Sequence, residues 1–532
     1  MGRRSKYMLV TGLLSAMTVV AACGGGSNGQ AEGNTQAGKE VPEGTSEKRE
    51  ISILLSHNNY QFASRAPESE KELYYKELER LSGYKLSFEF LGHADDYRQQ
   101  LALRFASGEL ADLVRTASID WDVHAGAVDQ GVFLELGPLI DQYAPNLKKS
   151  IPEVAWNSPK VSKNGKIYGI PLSIGVPADR IIMYRQDWLD KLNMEVPETL
   201  EDFLKFAEAV KQNDMNGDGD PNNEYAVSLT DNLAWNDVFS GSFGVRPGAW
   251  HMRDGRLEPD IIQPEMKEAI AFYKQMYDAG YIHKDFITKK QADRTGDAYK
   301  GLYGTWGAAV YQYPGNSKKE NYIDQPDAKL TMAAPPKGPR GENYLQLEND
   351  QIFFVFVIPS TTKNPEEVIK FLEWTYTDPE ADKFFTYGIK DHNYTEVDGK
   401  IVLDPEAEAN QGGTLGFVRV SLNMRELGEN SESVIAMQPD SDVLMAGYKL
   451  SEETTITNDA LYLSKLDAFD GRPELSVGFS PGNLFYDTFV KIVMGREPLD
   501  SGFDNFVKEW KSRGGEAAIQ EATEWYNEFH KK

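Results

Sequence analysis

Cysteine is almost missing from this chain: 532 residues contain one, Cys23. A single thiol excludes an internal disulfide framework. Long apolar runs are missing beyond the first 22 residues, and no later stretch approaches the roughly 20 residues a helix needs to cross a bilayer. With a mean hydropathy of -0.50 and 40% hydrophobic residues, the body reads as water-soluble. Basic charge is also scarce, at 56 Lys and Arg against 82 Asp and Glu. A phosphate backbone is bound by neutralising it with clustered cations, so this balance excludes nucleic acid as a partner. Catalytic signatures are absent as well. There is no HExxH and no GxxxxGK[ST], and the seven histidines (57, 93, 124, 251, 283, 392 and 530) lack ligand spacing. Carboxylates such as Asp190, Asp202 and Glu348 could pair as a glycosidase dyad, but among 82 acids a chance pair carries no information. The expectation is a protein that is not an enzyme.

What is present begins with the placement of that cysteine. Arg3, Arg4 and Lys6 precede an apolar stretch that ends Val20-Ala21-Ala22, immediately before Cys23. A positive start, an apolar run of about 15 residues and small residues before the cut form an export signal. Residues 1–22 are therefore read as a lipoprotein signal peptide and Cys23 as the acylated (palmitate-bearing) first residue. The alternative is a plain secretory cut at Ala22. Removing residues 1–22, which carry three basic and no acidic side chains, takes the formal charge from -26 to -29. Residues 24–49 are Gly, Ser, Asn, Gln and charge with almost nothing apolar, too little to offset ordering entropy, so 23–49 reads as a flexible linker. The folded part is assigned to 50–532, about 480 residues, which is too much for one core and calls for two lobes.

Along that body helical and strand patterns alternate. Ile51-Ser52-Ile53-Leu54-Leu55 reads as a buried strand, Glu68 to Leu81 as an amphipathic helix, Lys85 to Phe90 as a strand, and Asp96 to Ser107 as a helix, which is βαβ patterning. Thr199 caps a helix through Phe203, Phe206 and Val210. Further helices are expected over Gln263 to Ala279, Pro365 to Thr377 and Pro379 to Tyr387, around a strand at Gln351 to Ile358 whose FFVFV run is expected to be fully buried. Phe503 to His530 reads as two helices split by Gly514-Gly515, and Trp188, Trp374, Trp510 and Trp525 as core.

Two features carry chemistry. The first is Asp214-Met215-Asn216-Gly217-Asp218-Gly219-Asp220-Pro221-Asn222-Asn223-Glu224. Oxygen side chains at alternate positions with Gly at the turn suit calcium, which takes six to eight oxygens. Glu224 falls at position 11, not at 12 as in an EF-hand, and a strand, Tyr225 to Leu229, follows instead of a second helix. The ion would be a structural staple; an acidic glycine-rich surface turn is the other reading. The second feature is a set of aromatics in turn-rich contexts: Tyr60 after Asn59, Trp121, Trp235, Trp250 and Trp306. Flat rings stack on the apolar face of a pyranose while neighbouring amides and carboxylates take its hydroxyls. Each can equally serve in packing.

Several segments, in order, resemble a known family. They are Tyr97-Arg98-Gln99-Gln100-Leu101 through Ala106-Ser107-Gly108-Glu109-Leu110-Ala111-Asp112-Leu113-Val114, then Asn164 to Pro171, Tyr184 to Leu192, Pro197-Glu198-Thr199, the Asp214 to Glu224 loop, Phe243-Gly244-Val245, Tyr387-Gly388-Ile389 and Asn393-Tyr394. The chain is similar to the family 1 extracellular solute-binding proteins of ABC importers, especially the large lipoprotein branch that includes the alginate oligosaccharide-binding proteins. The resemblance implies a two-lobed α/β fold of the periplasmic-binding-protein class (class II-like), with a hinge and an interlobe ligand cleft. It implies a structural Ca2+ on Asp214, Asn216, Asp218, Asp220, Asn222 and Glu224, and a ligand aromatic at Trp250. The expected protein is a monomer, lipid-anchored on the extracytoplasmic face of the cell membrane at a Gram-positive surface, that delivers an oligosaccharide to the permease subunits. A peptide ligand, or a surface glycoside hydrolase or lyase, are the other readings.

Overall fold

The computed structural model of the protein describes residues 49–531 apart from 177, 221, 232–237, 323, 405–406, 427 and 429–430. All of them belong to one compact unit, Lys48–Lys532. The signal peptide, Cys23 and the linker lie outside the described residues, as does Trp235.

The strands of the two larger sheets are, in chain order, β1 (Glu50–Ser56), β2 (Lys85–Leu91), β3 (Leu113–Thr116), β4 (Ile170–Ser173), β5 (Arg180–Arg185), β6 (Tyr225–Val227), β7 (Tyr303–Ala309), β8 (Leu330–Ala333) and β9 (Ile352–Val357). The first sheet runs β2-β1-β3-β9-β4 and the second β8-β5-β7-β6. In the first, β1 pairs in parallel with β2 and β3 across helices Glu68–Ser82 and Asp95–Ser107, as βαβ crossovers demand, while β9 is antiparallel to both β3 and β4. In the second, β5 is antiparallel to β7 and β8, and β7 is parallel to β6.

Each sheet has its own core. Ile53, Leu55, Leu113, Val355 and Phe356 pack with Tyr74, Leu78, Phe371 and Leu372 in the first lobe. In the second lobe Tyr184, Trp188, Phe206, Phe239, Tyr273, Phe489 and Trp510 pack together. The two-residue period of β5 sends Ile182 and Tyr184 into that core, and Ile181 and Met183 into a third cluster on the other face with Trp306, Leu444 and Tyr448. The second sheet is therefore covered on both sides, with helix Ser441–Glu453 supplying Leu444 and Tyr448.

Local signals set the helix ends. Thr199 Oγ1 accepts the Asp202 N–H at 3.2 Å, and Asp378 Oδ1 accepts from Glu380 (2.8 Å) and Ala381 (3.3 Å) ahead of helix Pro379–Tyr387. At the C-terminus Gly514 adopts φ 137 between helices Leu499–Trp510 and Glu516–Phe529, a conformation reserved for glycine. The FFVFV run departs from expectation. Val355, Phe356 and Val357 are buried, but Phe353 is 39% exposed, because the β9 register shifts between Ile352 and Phe354 where the strand approaches the other lobe.

The chain crosses between the sheets three times: at 174–179, between β8 and β9, and between Met424 in the first core and Ile435 in the third cluster. The crossings lie side by side. Ser173 N–H donates to Arg425 O at 3.1 Å, Ile174 N–H donates to Gln351 O at 3.1 Å, and Tyr376 Oη donates to Arg425 O at 3.0 Å. Gln351 reaches this geometry in the left-handed region, at φ 57. Fully buried Arg115 fastens the third crossing at its root. Its Nη1 donates to Val420 O (3.3 Å), its Nη2 to Ser421 O (3.0 Å) and Asn423 O (3.2 Å), and the rings of Phe354 and Phe356 flank its guanidinium at 5.3 and 5.4 Å. Arg115→Met fills the space but strands three carbonyls, and is expected to lower the unfolding free energy by roughly 3 kcal/mol or more, read by urea denaturation.

Candidate functional site

Loops leave the C-terminal ends of the parallel strands β1 and β3, the position at which an open α/β sheet collects ligands. After β1, Asn58 and Asn59 both adopt left-handed conformations (φ 48 and 62), which asparagine tolerates better than most residues. Ser56 Oγ accepts the Asn58 N–H at 3.1 Å, His57 Nδ1 accepts the Asn59 N–H at 3.0 Å, and Ser421 Oγ donates to His57 O at 3.1 Å. Asn59 is thereby exposed and Tyr60 half-buried, its ring lying against the bare Cα of Gly416. After β3, half-buried Trp121 stacks on Tyr97 with ring centroids 6.3 Å apart and an interplanar angle of 27°. Its loop is held from below by His124, whose Nε2 meets Thr116 Oγ1 at 2.8 Å and whose ring packs edge-on to Phe133.

Across the cleft the second lobe contributes the segment around 458–469. The Tyr462 phenol is pushed up by burial and then by the carboxylates of Glu348, Glu153 and Asp350, and Glu153 precedes β4 in the first lobe. Lys465 is raised chiefly by its hydrogen bond to Asp470, with a further pull from Asp120 in the β3 loop. The segment borders a cavity of about 230 Å³ lined by Gly248, Trp250, Asn458, Leu463, Lys465 and Phe469. Asn458 Oδ1 accepts the Trp250 N–H (3.1 Å) and Asp459 Oδ2 accepts the Met252 N–H (2.8 Å). Fully buried Asp260 fixes the same hairpin through His251 Nδ1 (2.8 Å), Arg253 Nη2 (2.7 Å) and the Arg246 N–H (2.8 Å).

The aromatics named from the sequence are thus distributed unevenly. Asn59, Tyr60 and Trp121 all lie on first-lobe loops that follow β1 and β3. Trp250 is 4% exposed, packed in the second-lobe core with one margin on the cavity. Trp306 is 2% exposed and lies in the third cluster. Its glycine-containing context is strand and not turn: Gly304 lies within β7, where a Cβ would meet the Phe206 ring at 2.9 Å and the Trp188 ring at 3.1 Å. Residues 458–469 were not legible as site residues, because only their pairing with the distant Trp250 hairpin brings them there.

The Asp214–Glu224 loop winds as a run of Asx turns. Asn216 Oδ1, Asp218 Oδ1 and Asp220 Oδ1 each accept the backbone N–H two residues on (2.9, 2.8 and 3.1 Å), and Asp214 accepts from Gly217 (2.7 Å) and Gly219 (2.9 Å). Asn222 ends the run with its amide on Asp220 Oδ1 at 3.2 Å, whereas Asn223, which the sequence did not single out, reaches Asp218 Oδ2 at 2.6 Å and Asn216 at 3.3 Å. Buried Glu224 uses Oε1 to accept from Met215 and Asn216 (2.8 and 3.1 Å), while its Oε2 has no partner among the described residues; burial raises its pKa. An oxygen-only donor set with one orphaned buried carboxylate oxygen fits a hard cation. No three Asp, Glu, His or Cys side chains converge as a preformed metal cluster among the described residues.

A two-lobed α/β body with a cleft between strand-end loops defines a solute-binding protein. The model of the bacterial extracellular solute-binding proteins matches residues 64–382, and the chain belongs to that family. It is 26% identical over 541 residues to the polygalacturonan/rhamnogalacturonan-binding protein YtcQ of Bacillus subtilis, covering 99% of this chain and all of that one. It is 25% identical to the fructooligosaccharide ABC transporter substrate-binding protein FusA of Streptococcus pneumoniae over 73% of this chain and 72% of the relative. Among solved structures, alginate-binding protein AlgQ2 without calcium ion superposes with a TM-score of 0.64 at 20% identity, covering 91% of this chain and 99% of that one. FusA from S. pneumoniae in complex with kestose gives 0.65 at 18%, with coverages of 91% and 99%. The family is one of binding proteins and not of enzymes.

Burial pushes His124 down to about 4 from an ordinary 6.5. The unfolded chain therefore takes up this proton first, and the stability the neutral ring confers is present above pH 6.5 and lost as pH falls toward 4. The loss amounts to roughly 3 kcal/mol by linkage. In His124→Phe the drop in urea midpoint between pH 7 and 4.5 is expected to shrink; an undiminished drop places the acid sensitivity elsewhere.

Proposed function

We propose that this protein is the substrate-binding lipoprotein of an ABC importer, which captures an extracellular oligosaccharide by closing its two lobes and hands it to the permease. The observation that carries the reading is the pair of separately cored sheets joined by three adjacent crossings, between which turn-borne Asn59, Tyr60 and Trp121 on one side and the residues of the Trp250 cavity on the other would meet the ligand. Aromatic rings beside amides and carboxylates suit a sugar, which offers an apolar face and a rim of hydroxyls. The relatives named for saccharides support the same class. Trp235, on the stretch that follows β6, is proposed as a further contact. The relative called lipoprotein LipO in B. subtilis, 26% identical over 86% of this chain, supports acylation at Cys23, which would tether the protein near its permease and raise the local concentration of loaded ligand.

Titration of the chain with a panel of neutral and acidic oligosaccharides is expected to shift tryptophan fluorescence for at least one glycan and for no peptide. A response to peptides alone overturns the assignment.

Calcium in the Asp214–Glu224 loop is the second part of the proposal. Asp214, Asn216, Asp218, Asp220, Asn222 and Glu224, whose Oε2 has no partner among the described residues, together with Asn223, would hold the ion and join the helix Leu200–Lys211 to β6. A chelator is expected to lower the melting temperature, and Asp218→Ala to abolish that dependence. A melt indifferent to chelator removes the ion from the account.

A further inference from the structure

The hinge-side end of the second sheet holds a buried guanidinium with no carboxylate partner among the described residues. Residues 174–179 link β4 to β5, so Arg180, the first residue of β5, stands at the end nearest the first lobe. Ala309, the last residue of β7, pairs with Arg180, the Val310 N–H donates to Asp179 O at 2.7 Å, and 49%-exposed Tyr311 follows directly. Against this end packs helix Gln291–Tyr299, bearing Arg294. Arg294 is 6% exposed. Its Nη1 donates to Gly307 O at 2.8 Å, its Nε is buried with no partner among the described residues, and it forms no ion pair among them. Asp297, on the same helix, is held by Lys289 (3.3 Å) and Lys300 (3.1 Å), and Asp179, whose carboxyl is pushed up by burial, is drawn back down by the Arg180 it engages. Burial, and then the neighbouring charge of Arg180, hold Arg294 down at about 10, so at neutral pH it is a charged group deprived of water and, among the described residues, of a counter-charge.

A buried cation left with one carbonyl is costly unless a ligand completes it. A guanidinium offers its donors in a planar fork that matches a carboxylate, which an ammonium does not. We propose that Arg294, beside Arg180, forms a carboxylate-accepting subsite at this end of the cleft, so that the preferred ligand is an acidic, uronate-bearing oligosaccharide and not a neutral one. This rests on the oligosaccharide reading and decides its charge class. The chain's net charge of -26 opposes an anionic ligand at long range, but such a field is screened within about 10 Å in ordinary salt, whereas a desolvated guanidinium acts at contact.

The test compares, on the whole chain, uronate oligomers (galacturonate, mannuronate, guluronate and glucuronate series) with the same oligomers methyl-esterified at the carboxyls, by calorimetry at low and high salt. The acid forms of at least one series are expected to bind about tenfold or more tighter than the esters, a factor typical of one charge-assisted contact, and to lose that advantage as salt rises. Arg294→Gln, checked for an unchanged circular dichroism spectrum, is expected to collapse the acid-to-ester ratio toward one, and Arg294→Lys to restore part of it. The acid and ester comparison needs no variant, so a poorly folding substitution does not spare the proposal. Neutral or esterified oligomers binding as well as the acids overturns the uronate subsite and leaves the oligosaccharide reading intact, as does an acid preference that survives Arg294→Gln. No binding by any glycan, acidic or neutral, overturns both.

Discussion

Everything in this molecule depends on how three crossing strands are pinned together. Two sheets with separate cores have no reason to hold a fixed relation unless the connections supply it, and here those connections are drawn into one ribbon. Ser173 bonds to Arg425 and Ile174 to Gln351, so the first crossing lies between the other two. Backbone bonds of this kind resist sliding yet allow the ribbon to bend, because a hinge needs only a few residues that absorb changes in φ and ψ. Arg115 sets one end of the ribbon by holding carbonyls at 420, 421 and 423, and the pairing of Gln346 and Leu347 with Thr455 and Ile456 sets the other. The cleft walls can then close as rigid bodies while each core stays intact.

The same constraint explains where polar residues are tolerated. Arg115 and Asp260 are fully buried and extensively hydrogen-bonded, one at the root of a crossing and one under the Trp250 hairpin, both positions where an irregular backbone must be locked. Arg294 is buried, like Arg115, without a carboxylate among the described residues, but it holds one carbonyl where Arg115 holds three. The loop at Asp214 satisfies its own backbone with Asx turns and leaves one glutamate oxygen over. At both places the described residues leave a buried polar atom without a partner.

The sequence carried the elements well and the assembly poorly. Periodicity placed the strand at 51–55, the helices from 68 and 96, and the helices at 365–377 and 379–387 within a residue or so of Glu50–Ser56, Glu68–Ser82, Asp95–Ser107, Pro365–Thr377 and Pro379–Tyr387. Thr199 capped its helix and Gly514 broke the last one, because capping and positive φ are local events. Trp188 and Trp510 are core, as their helical spacing required. What failed was reading exposure from flanking residues. Trp306 reads as standing in a turn-rich context, but it lies in a strand whose Gly304 has Phe206 and Trp188 pressed against the backbone. Phe353 looked buried within an apolar run but sits at a register shift. Such facts arise from neighbours distant in the sequence, and no local pattern encodes them. The site is legible to the same extent: Asn59, Tyr60 and Trp121 stand on turns that local chemistry marks, whereas the opposite wall at 458–469 and the guanidinium of Arg294 are products of packing.

The central claim is that ligand capture is a closure of two preformed lobes about the pinned ribbon. Small-angle X-ray scattering of the whole chain, with and without a saturating oligosaccharide that binds it, measures this directly. The account predicts a smaller radius of gyration in the bound state with unchanged secondary structure by circular dichroism. Saturation that leaves the radius of gyration unaltered would contradict it.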